Sequence, residues 1–422
     1  MGCVSSKLVP EVPEGGHVVK TVYPHGHDPK PKPRSQQGSG KKLRTMQPKG
    51  DGQDPNRPTK KAAKYRAIFD PRVTAKYDIK ALIGRGSFSR VVRVEHRITR
   101  QPYAIKMIDR QQGREVFESE LEVLRRVRHP HIIQLIEVFE SRDKVYMVME
   151  LATGGELFDR IIAKGSFTEK DAVRVLRMVL DGVRYLHALG ITHRDLKPEN
   201  LLYYHPGLDS KILITDFGLS ATRKAGENYM KTTCGTPEYI APEILARKPY
   251  TQSVDCWAMG VVSYILLSGA MPFDDENRPR LYRLILKAKY SYNGEHWKDV
   301  SPIAKDFIDS MLVLDPNERM TASQAIRHDW IVSNAASSSN KNLHRTISQN
   351  ILQRQSTRAN STRSAKSSKS NKSNKSNKSN KSLRSEHHHV TPQEIDELHK
   401  DPEVQADIES LHNYSLPSDH SF

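Results

Sequence analysis

The sequence predicts an α+β fold in two lobes, a small strand-rich one and a large helical one, flanked by disordered tails. Three observations carry this. Short β-like runs at 77–83, 91–95, 103–108 and 145–151 are separated by turn residues. After Thr153-Gly154-Gly155 the apolar spacing changes to that of helices. Outside this stretch the chain turns to Pro, Gly, Lys and His (residues 8–69) or to Ser, Asn and Lys (from Ser333 on), compositions with too little to bury to stay folded.

Taken in order, folding is expected to begin near Tyr77. Among the strands, Phe117, Leu121 and Leu124 recur at helical spacing and mark one amphipathic helix. Beyond the glycines, Ala172, Val175, Leu176, Val179, Leu180, Val183 and Leu186 line one face of a long helix. The segment from Val254 to Leu267 is apolar on most sides and reads as a buried helix, and 279–288, 302–314 and 321–331 read as further helices. Four Asn-Lys-Ser triplets span 371–382, a tract expected to stay unfolded. The acidic stretch Thr391–Leu411 reads as a short helix. The chain thus divides into an N-terminal segment (1–76), a folded domain (77–331), a basic tail (332–390) and an acidic end (391–422).

The chain has 422 residues and a formal net charge of +17. Residues 1–69 hold 14 Lys/Arg against 5 Asp/Glu, and residues 341–385 hold 12 Lys/Arg and no acid. The basic excess therefore sits in the tails, and everything else carries a small net negative charge. That argues against a basic nucleic-acid groove in the fold. The 341–385 tract also has no aromatic residue on which bases could stack, so no specific nucleic-acid partner is expected. Cys3, Cys234 and Cys256 are too few for a disulfide framework. Nowhere do roughly 20 continuous apolar residues occur, as a membrane span needs, and no apolar run near the start would serve as a secretory signal.

Three motifs carry chemistry. The first, Gly84-Arg85-Gly86-Ser87-Phe88-Ser89-Arg90-Val91, lies between two predicted strands. Its glycines let a backbone close over phosphates, with Ser89 where a third glycine usually stands. Alone it is weak, since such strings are often plain hairpin turns. The second is Lys106, in Ala104-Ile105-Lys106. A buried ammonium needs partners: the ATP phosphates, and a carboxylate of the amphipathic helix, among Glu118, Glu120 and Glu122. The third is decisive. His193-Arg194-Asp195-Leu196-Lys197-Pro198-Glu199-Asn200 is followed by Asp216-Phe217-Gly218 and Ala241-Pro242-Glu243. Asp195 would take the substrate hydroxyl proton, Lys197 would neutralise the transferring phosphoryl group, and Asn200 and Asp216 would hold Mg²⁺.

On these motifs residues 77–331 resemble the eukaryotic protein kinase catalytic domain. The resemblance implies ATP between the lobes, its adenine against the hinge Glu150–Ala152, with Met149 gating the pocket behind. It selects Glu120 as the partner of Lys106. It pairs Glu243 with Arg319 and lets Asp255 support the catalytic loop. Leu196-Lys197-Pro198-Glu199-Asn200 and Gly235-Thr236-Pro237-Glu238-Tyr239 are similar to the Ser/Thr kinase forms, with Thr236 bonded to Asp195 and Lys197 beneath a protein substrate. Gly154–Ile161 resembles the calcium/calmodulin-dependent kinase group. There Glu156 would meet the ATP ribose and a substrate arginine, with Glu199 a further acidic contact, which implies basic substrates. Thr232 occupies the usual activating phosphosite, facing Arg194, with Thr233 beside it.

After the domain, 341–358 is similar to the autoinhibitory segment of the same group. Leu343, Ile347 and Ile351 recur at helical spacing, with Arg354 and Arg358 following. Such a helix blocks the substrate groove or binds a calmodulin-like Ca²⁺ sensor; accidental spacing in a linker is the plain alternative. Met1-Gly2-Cys3-Val4-Ser5-Ser6 fits N-myristoylation at Gly2, with Cys3 placed for palmitoylation. Two acyl chains give durable attachment to membrane lipids, hence a place on the cytosolic face of Golgi, other endomembranes or the plasma membrane. The Ser/Lys tail adds attraction to anionic surfaces or the nucleus and offers autophosphorylation sites. The acyl start joined to this core resembles the protein serine kinase H branch.

Overall fold

The computed structural model describes residues 69–86, 89–111, 114–222, 229–333, 341–353 and 389–411. Described structure starts ahead of Tyr77, with helix α1 (Pro71–Lys76), whose first turn is capped by the Asp70 carboxylate at 2.9 Å from Arg72 N. Phe69 and Val73 of this segment are buried with Tyr77, Val94, Ile105 and Tyr146. Apolar periodicity could not reveal a helix of a turn and a half; tertiary burial holds it.

Strands β1 (Tyr77–Arg85), β2 (Ser89–His96), β3 (Pro102–Asp109), β4 (Leu135–Glu140) and β5 (Lys144–Glu150) form one antiparallel sheet in the order β1-β2-β3-β5-β4. Four match the predicted runs. The fifth, β4, was not expected: Leu135-Ile136-Glu137-Val138-Phe139-Glu140 lacks clean alternation, and Ile136 is 45% exposed. Its neighbour β5 supplies the pairing that its pattern does not announce. Along β3, Ile105 and Met107 join the cluster under α1, whereas Ile108 joins the one containing Phe117, Leu121 and Leu124. Successive strand side chains face opposite ways, so Lys106 shares the second face, toward helix α2 (Arg114–Arg126).

The large lobe is built from α3 (Leu157–Lys164), α4 (Glu169–Ala188), α5 (Pro242–Leu245), α6 (Ser253–Ser268), α7 (Arg278–Leu286), α8 (Pro302–Met311), α9 (Ala322–Ala325) and α10 (Asp329–Val332). Helix α4 starts on a Thr168–Asp171 capping box, and all seven residues of its predicted apolar face are buried. Every residue of α6 from Val254 to Ser268 is buried, as expected of a helix apolar all round. Between them lie the short pairs β6 (Ile191–Thr192) with β9 (Ala221–Thr222) and β7 (Leu201–Tyr203) with β8 (Ile212–Ile214), which frame the two motif loops.

Two expected helices are divided. The 321–331 stretch breaks at His328, whose imidazole caps α10 through Trp330 N at 3.2 Å. The acidic 391–411 stretch is two helices, α12 (Pro392–Leu398) and α13 (Pro402–Ser410). Pro402 has no N–H to continue the first and suits the opening turn of the second. Helix α11, at 344–353, precedes them. Its stripe Leu343, Ile347 and Ile351 is buried, and it is tied to the large lobe by Leu343 N to Phe167 O (2.7 Å), His344 Nε2 to Ile162 O (3.0 Å) and Asn350 Nδ2 to Ser268 O (2.8 Å).

Candidate active site

The glycine turn joins β1 to β2. Gly84 pairs with Val91, and Gly86 N–H donates to Ser89 O at 2.9 Å. A Cβ on Gly86 would come within 2.8 Å of Ser89 Oγ, so the serine that replaces the third glycine fills space over the turn. Arg85 is exposed. Ser87 and Phe88 lie outside the described residues.

Beneath the turn, register places Lys106 opposite Val91 on one side and Met147 on the other. Its Nζ lies 2.7 Å from both Glu120 oxygens and 3.2 Å from Asp216 Oδ1. The structure thus separates the three carboxylates of α2. Glu120 is buried at 2% exposure, Glu118 is exposed, and Glu122 is 63% exposed beside Arg126. Burial works against the Lys106 charge, but Asp216 and Glu120 more than offset it and hold the pKa above its usual value. In turn, the Lys106 ammonium holds the Asp216 carboxyl at about 2. Asp216 is 54% exposed and has φ of 63°. Few residues other than glycine take that conformation, and here it presents a permanent anion to the cleft.

The catalytic loop is suspended from the buried helix α6. Asp255 Oδ2 accepts from His193 N and Oδ1 from Arg194 N, both at 2.9 Å. Burial would raise the Asp255 pKa, yet His187 Nε2 at 2.9 Å and these backbone donors keep it below its ordinary value. Arg194 takes φ of 67°, a conformation few residues other than glycine adopt, and Asp195 after it is buried at 6% exposure. Four side chains then interlock. Thr236 Oγ1 donates to Asp195 Oδ1 at 2.8 Å, and Lys197 Nζ donates to Thr236 Oγ1 at 2.8 Å. Lys197 Nζ also lies 2.8 Å from Asp195 Oδ2, and Asn200 Nδ2 donates to Asp195 O and Oδ2 at 2.8 and 3.1 Å. Thr215 N donates to Asn200 O at 2.9 Å, tying Asp216 to the same loop.

This donor set fits a triphosphate and a hard dication. Asn200 spends its amide nitrogen on Asp195, which leaves the carbonyl oxygen to face a cation. Mg²⁺ usually takes one or two carboxylates plus phosphate and water oxygens, so a larger cage of acids is not needed.

The other expected residues take varied places. Glu150 turns its carboxylate to Gln134 N (2.9 Å) and Lys211 (3.5 Å); Ala152 is half-buried beside it and Met149 is buried. Glu156 precedes α3 and bridges to Leu202 through the backbone, and Glu199 lies in the turn Pro198–Asn200. Thr232 is exposed, its carbonyl accepting from Tyr250 Oη at 2.6 Å. That phenol accepts from Arg194 Nη1 at 3.1 Å, while Arg194 Nε donates to Leu219 O at 2.5 Å. Arg319 grips Glu243 through two hydrogen bonds of 2.7 and 2.9 Å. Gly2 and Cys3 lie outside the described residues.

One part of the site was not anticipated. His389 Nδ1 stands 3.8 Å from Asp195 Oδ1, and Val390 N–H donates to Gly235 O at 2.8 Å. No motif marks these residues. The one nearby signal is the Thr391–Glu394 capping box that starts α12.

Comparison with known proteins agrees with this geometry. Residues 77–331 match the protein kinase domain. The chain is 73% identical over 414 residues, 97% of its length and all of the relative's, to a serine/threonine-protein kinase H1 homolog of Pinctada fucata. It is 75% identical over 320 residues (75% of this chain, 76% of the relative) to serine/threonine-protein kinase H1 of Homo sapiens. It is 50% identical over 287 residues (67% and 81%) to calcium/calmodulin-dependent protein kinase type 1 of Macrobrachium nipponense. The protein kinase family uses ATP and Mg²⁺. A match that runs from the first strand of the small lobe to the last short helix of the large one makes this chain a member of the protein kinase family, and a serine/threonine protein kinase within it.

Proposed function

We propose that phosphoryl transfer to protein hydroxyls is carried by the four interlocked side chains around Asp195, which the observed Thr236–Asp195–Lys197 hydrogen bonds best support. Bound MgATP supplies the transferable γ-phosphoryl group and the cation that spreads its charge. Asp195 orients the incoming hydroxyl and takes its proton. Lys197 sets positive charge beside the phosphoryl oxygens, where charge develops. Asn200 and Asp216 would hold the cation. Lys106, paired with Glu120, would meet the α- and β-phosphates, and the turn of Gly84, Arg85, Gly86, Ser89 and Val91 would lie over them; Ser87 and Phe88, expected in the same turn, lie outside the described residues. Asp195→Asn should lower kcat by about 10²–10⁴-fold, the usual span for a lost general base, with KM for ATP little changed. Full activity in that variant would defeat the assignment.

We further propose a preference for basic substrates, read by Glu156 and Glu199, and phosphorylation of Thr232 as the activating event, linked to Arg194 through Tyr250. A peptide array showing no selection for Arg or Lys before the acceptor would remove the first. Unaltered activity of Thr232→Ala would remove the second. Residues 77–331 then form the catalytic domain, and the serines of 332–390, set among Lys and Arg, serve as autophosphorylation sites.

The N-terminal pattern supports myristoylation of Gly2 and palmitoylation of Cys3, and thereby attachment to the cytosolic face of Golgi, endomembrane or plasma membrane. A single myristoyl chain binds with K of only about 10⁴ M⁻¹, so both chains are required for lasting attachment. Gly2→Ala should move the protein from the membrane to the soluble fraction, and an unchanged distribution would reject the anchor. A calmodulin-like Ca²⁺ sensor is proposed as the ligand of 341–358. Because Leu343, Ile347 and Ile351 are buried against the lobe, capture must lift α11 away. Titration of full-length protein with Ca²⁺/calmodulin, followed by activity, tests this.

A further inference from the structure

The acidic C-terminal segment is docked on the large lobe by two kinds of contact. Ile395, Leu398, Val404 and Ile408 are buried at 0–5% exposure. Around them the acids meet a basic surface of α7 and the turn after α5. Asp396 pairs with Arg247, and Glu403 with Arg283. Asp407 pairs with Arg283 Nε at 3.0 Å and Lys287 Nζ at 2.9 Å. Lys248 donates to Leu411 O, and His399 Nε2 bonds Leu245 O at 2.9 Å.

This docking fixes where the start of the segment lies. His389 faces Asp195, and the very next N–H, of Val390, bonds the carbonyl of Gly235, the residue before Thr236. A protein substrate must bring its acceptor hydroxyl to Asp195, and Gly235 precedes Thr236, whose hydroxyl bonds Asp195 Oδ1 at 2.8 Å. The Val390 side chain beside it is 3% exposed. At the acceptor position itself stands an imidazole, which has no hydroxyl to offer.

We infer that residues 389–411 are a built-in competitor of the protein substrate, with α12 and α13 as the anchor, His389 in the acceptor position and Val390 marking an apolar subsite for the residue that follows. The inference rests on Asp195 being the proton acceptor, as proposed above. Its consequence is a groove that a protein substrate enters only after the segment leaves, and substrates with an apolar residue after the acceptor compete best.

A segment that covers the groove in nine molecules of ten raises the apparent KM for substrate about tenfold. In full-length protein assayed with a basic peptide, Asp407→Arg, which sets like charges against Arg283 and Lys287, should lower the peptide KM by about that factor, leaving kcat and the ATP KM unchanged. Arg283→Asp combined with Asp407→Arg should restore the original KM. Ile395→Asp gives a second release by a different contact. In His389→Ser the introduced hydroxyl would receive the γ-phosphoryl group of ATP, its proton passing to Asp195 and ADP leaving. Site mapping should then find phosphate at position 389, formed at a rate independent of enzyme concentration. An unchanged peptide KM in both release variants overturns the inference, as does a 389 phosphorylation rate that rises with enzyme concentration, which would assign the contact to a second copy. Asp195→Asn separates the two levels: if that variant is active the catalytic assignment fails, whereas an unchanged KM in an otherwise normal enzyme sinks the competitor alone.

Discussion

Asp255 illustrates how one side chain fixes the geometry of several. It stands in the first turn of the otherwise apolar α6, is 1% exposed, and accepts from two successive backbone N–H groups and from His187. A carboxylate held in this way is favoured as the anion, so its folded pKa falls below its ordinary value. Its stabilising contribution is therefore complete above the unfolded carboxylate pKa and is lost as pH falls through the lower folded one. Replacing Asp255 by Asn should cost about 2 kcal/mol near neutral pH, the scale of hydrogen bonds to a charged group. In denaturant titrations the gap from the parent should begin to narrow as pH drops below about 4, where the carboxylate of the unfolded chain takes up its proton, and should close only once pH passes the lower folded value. A gap that stays constant with pH would refute the account. The sequence marks Asp195 through its motif and Asp255 only through the family resemblance. Helical spacing alone leaves Glu118, Glu120 and Glu122 open as partners of Lys106; the resemblance selects Glu120, and the structure buries Glu120 against Lys106 and leaves the others outside.

At the scale of elements, long periodic helices were legible and short ones were not. Helix α4 shows its whole apolar face in the sequence because seven positions repeat the pattern. Helix α1 and strand β4 have too few residues to repeat anything, and they exist because neighbours bury or pair them. The contact between α6 and α11 shows how closely such neighbours sit. Gly269 ends α6 at φ 71°, and a Cβ there would lie 2.5–2.9 Å from the backbone of Ile347. Gly269→Ala thus meets two obstacles at once, an unfavourable conformation worth about 1–2 kcal/mol and a backbone that must move away. Amide exchange across 344–353 should accelerate by at least about tenfold, as each 1.4 kcal/mol corresponds to that factor. Exchange within α4 should stay unchanged. Protection of 344–353 equal to that of the parent would mean that α11 is not held by this contact.

Across the molecule, the large lobe is braced by the Glu243–Arg319 pair, whose side chains are 4% and 0% exposed. The guanidinium also donates to Ser253 O at 3.0 Å and Val313 O at 3.0 Å, joining α6 to the segment that follows α8. Removing one partner of such a pair leaves a buried charge without its complement. Arg319→Met should destabilise the fold by about 3–5 kcal/mol, and Arg319→Met with Glu243→Leu should recover much of that loss. Chemical denaturation of the three proteins measures both; a double variant no better than the single would show that the backbone contacts, rather than the charge, carry the effect.

The sequence by itself determined the proposed chemistry. Asp195, Lys197, Asn200 and Asp216 stand out as the proposed site because phosphoryl transfer calls for those residue types at short, fixed separations along the chain, and local spacing is what a sequence displays. Tertiary structure decided that Glu120 is buried against Lys106 while Glu118 and Glu122 stay outside, where the 344–353 helix rests, and that His389 and Val390 lie beside Asp195 and Gly235. Those outcomes join residues as far apart as Asp195 and His389 in the chain. They follow from surfaces, the basic side of α7 against the acids of α13 and the apolar stripe of α11 against the large lobe, that come into being only once both partners have folded.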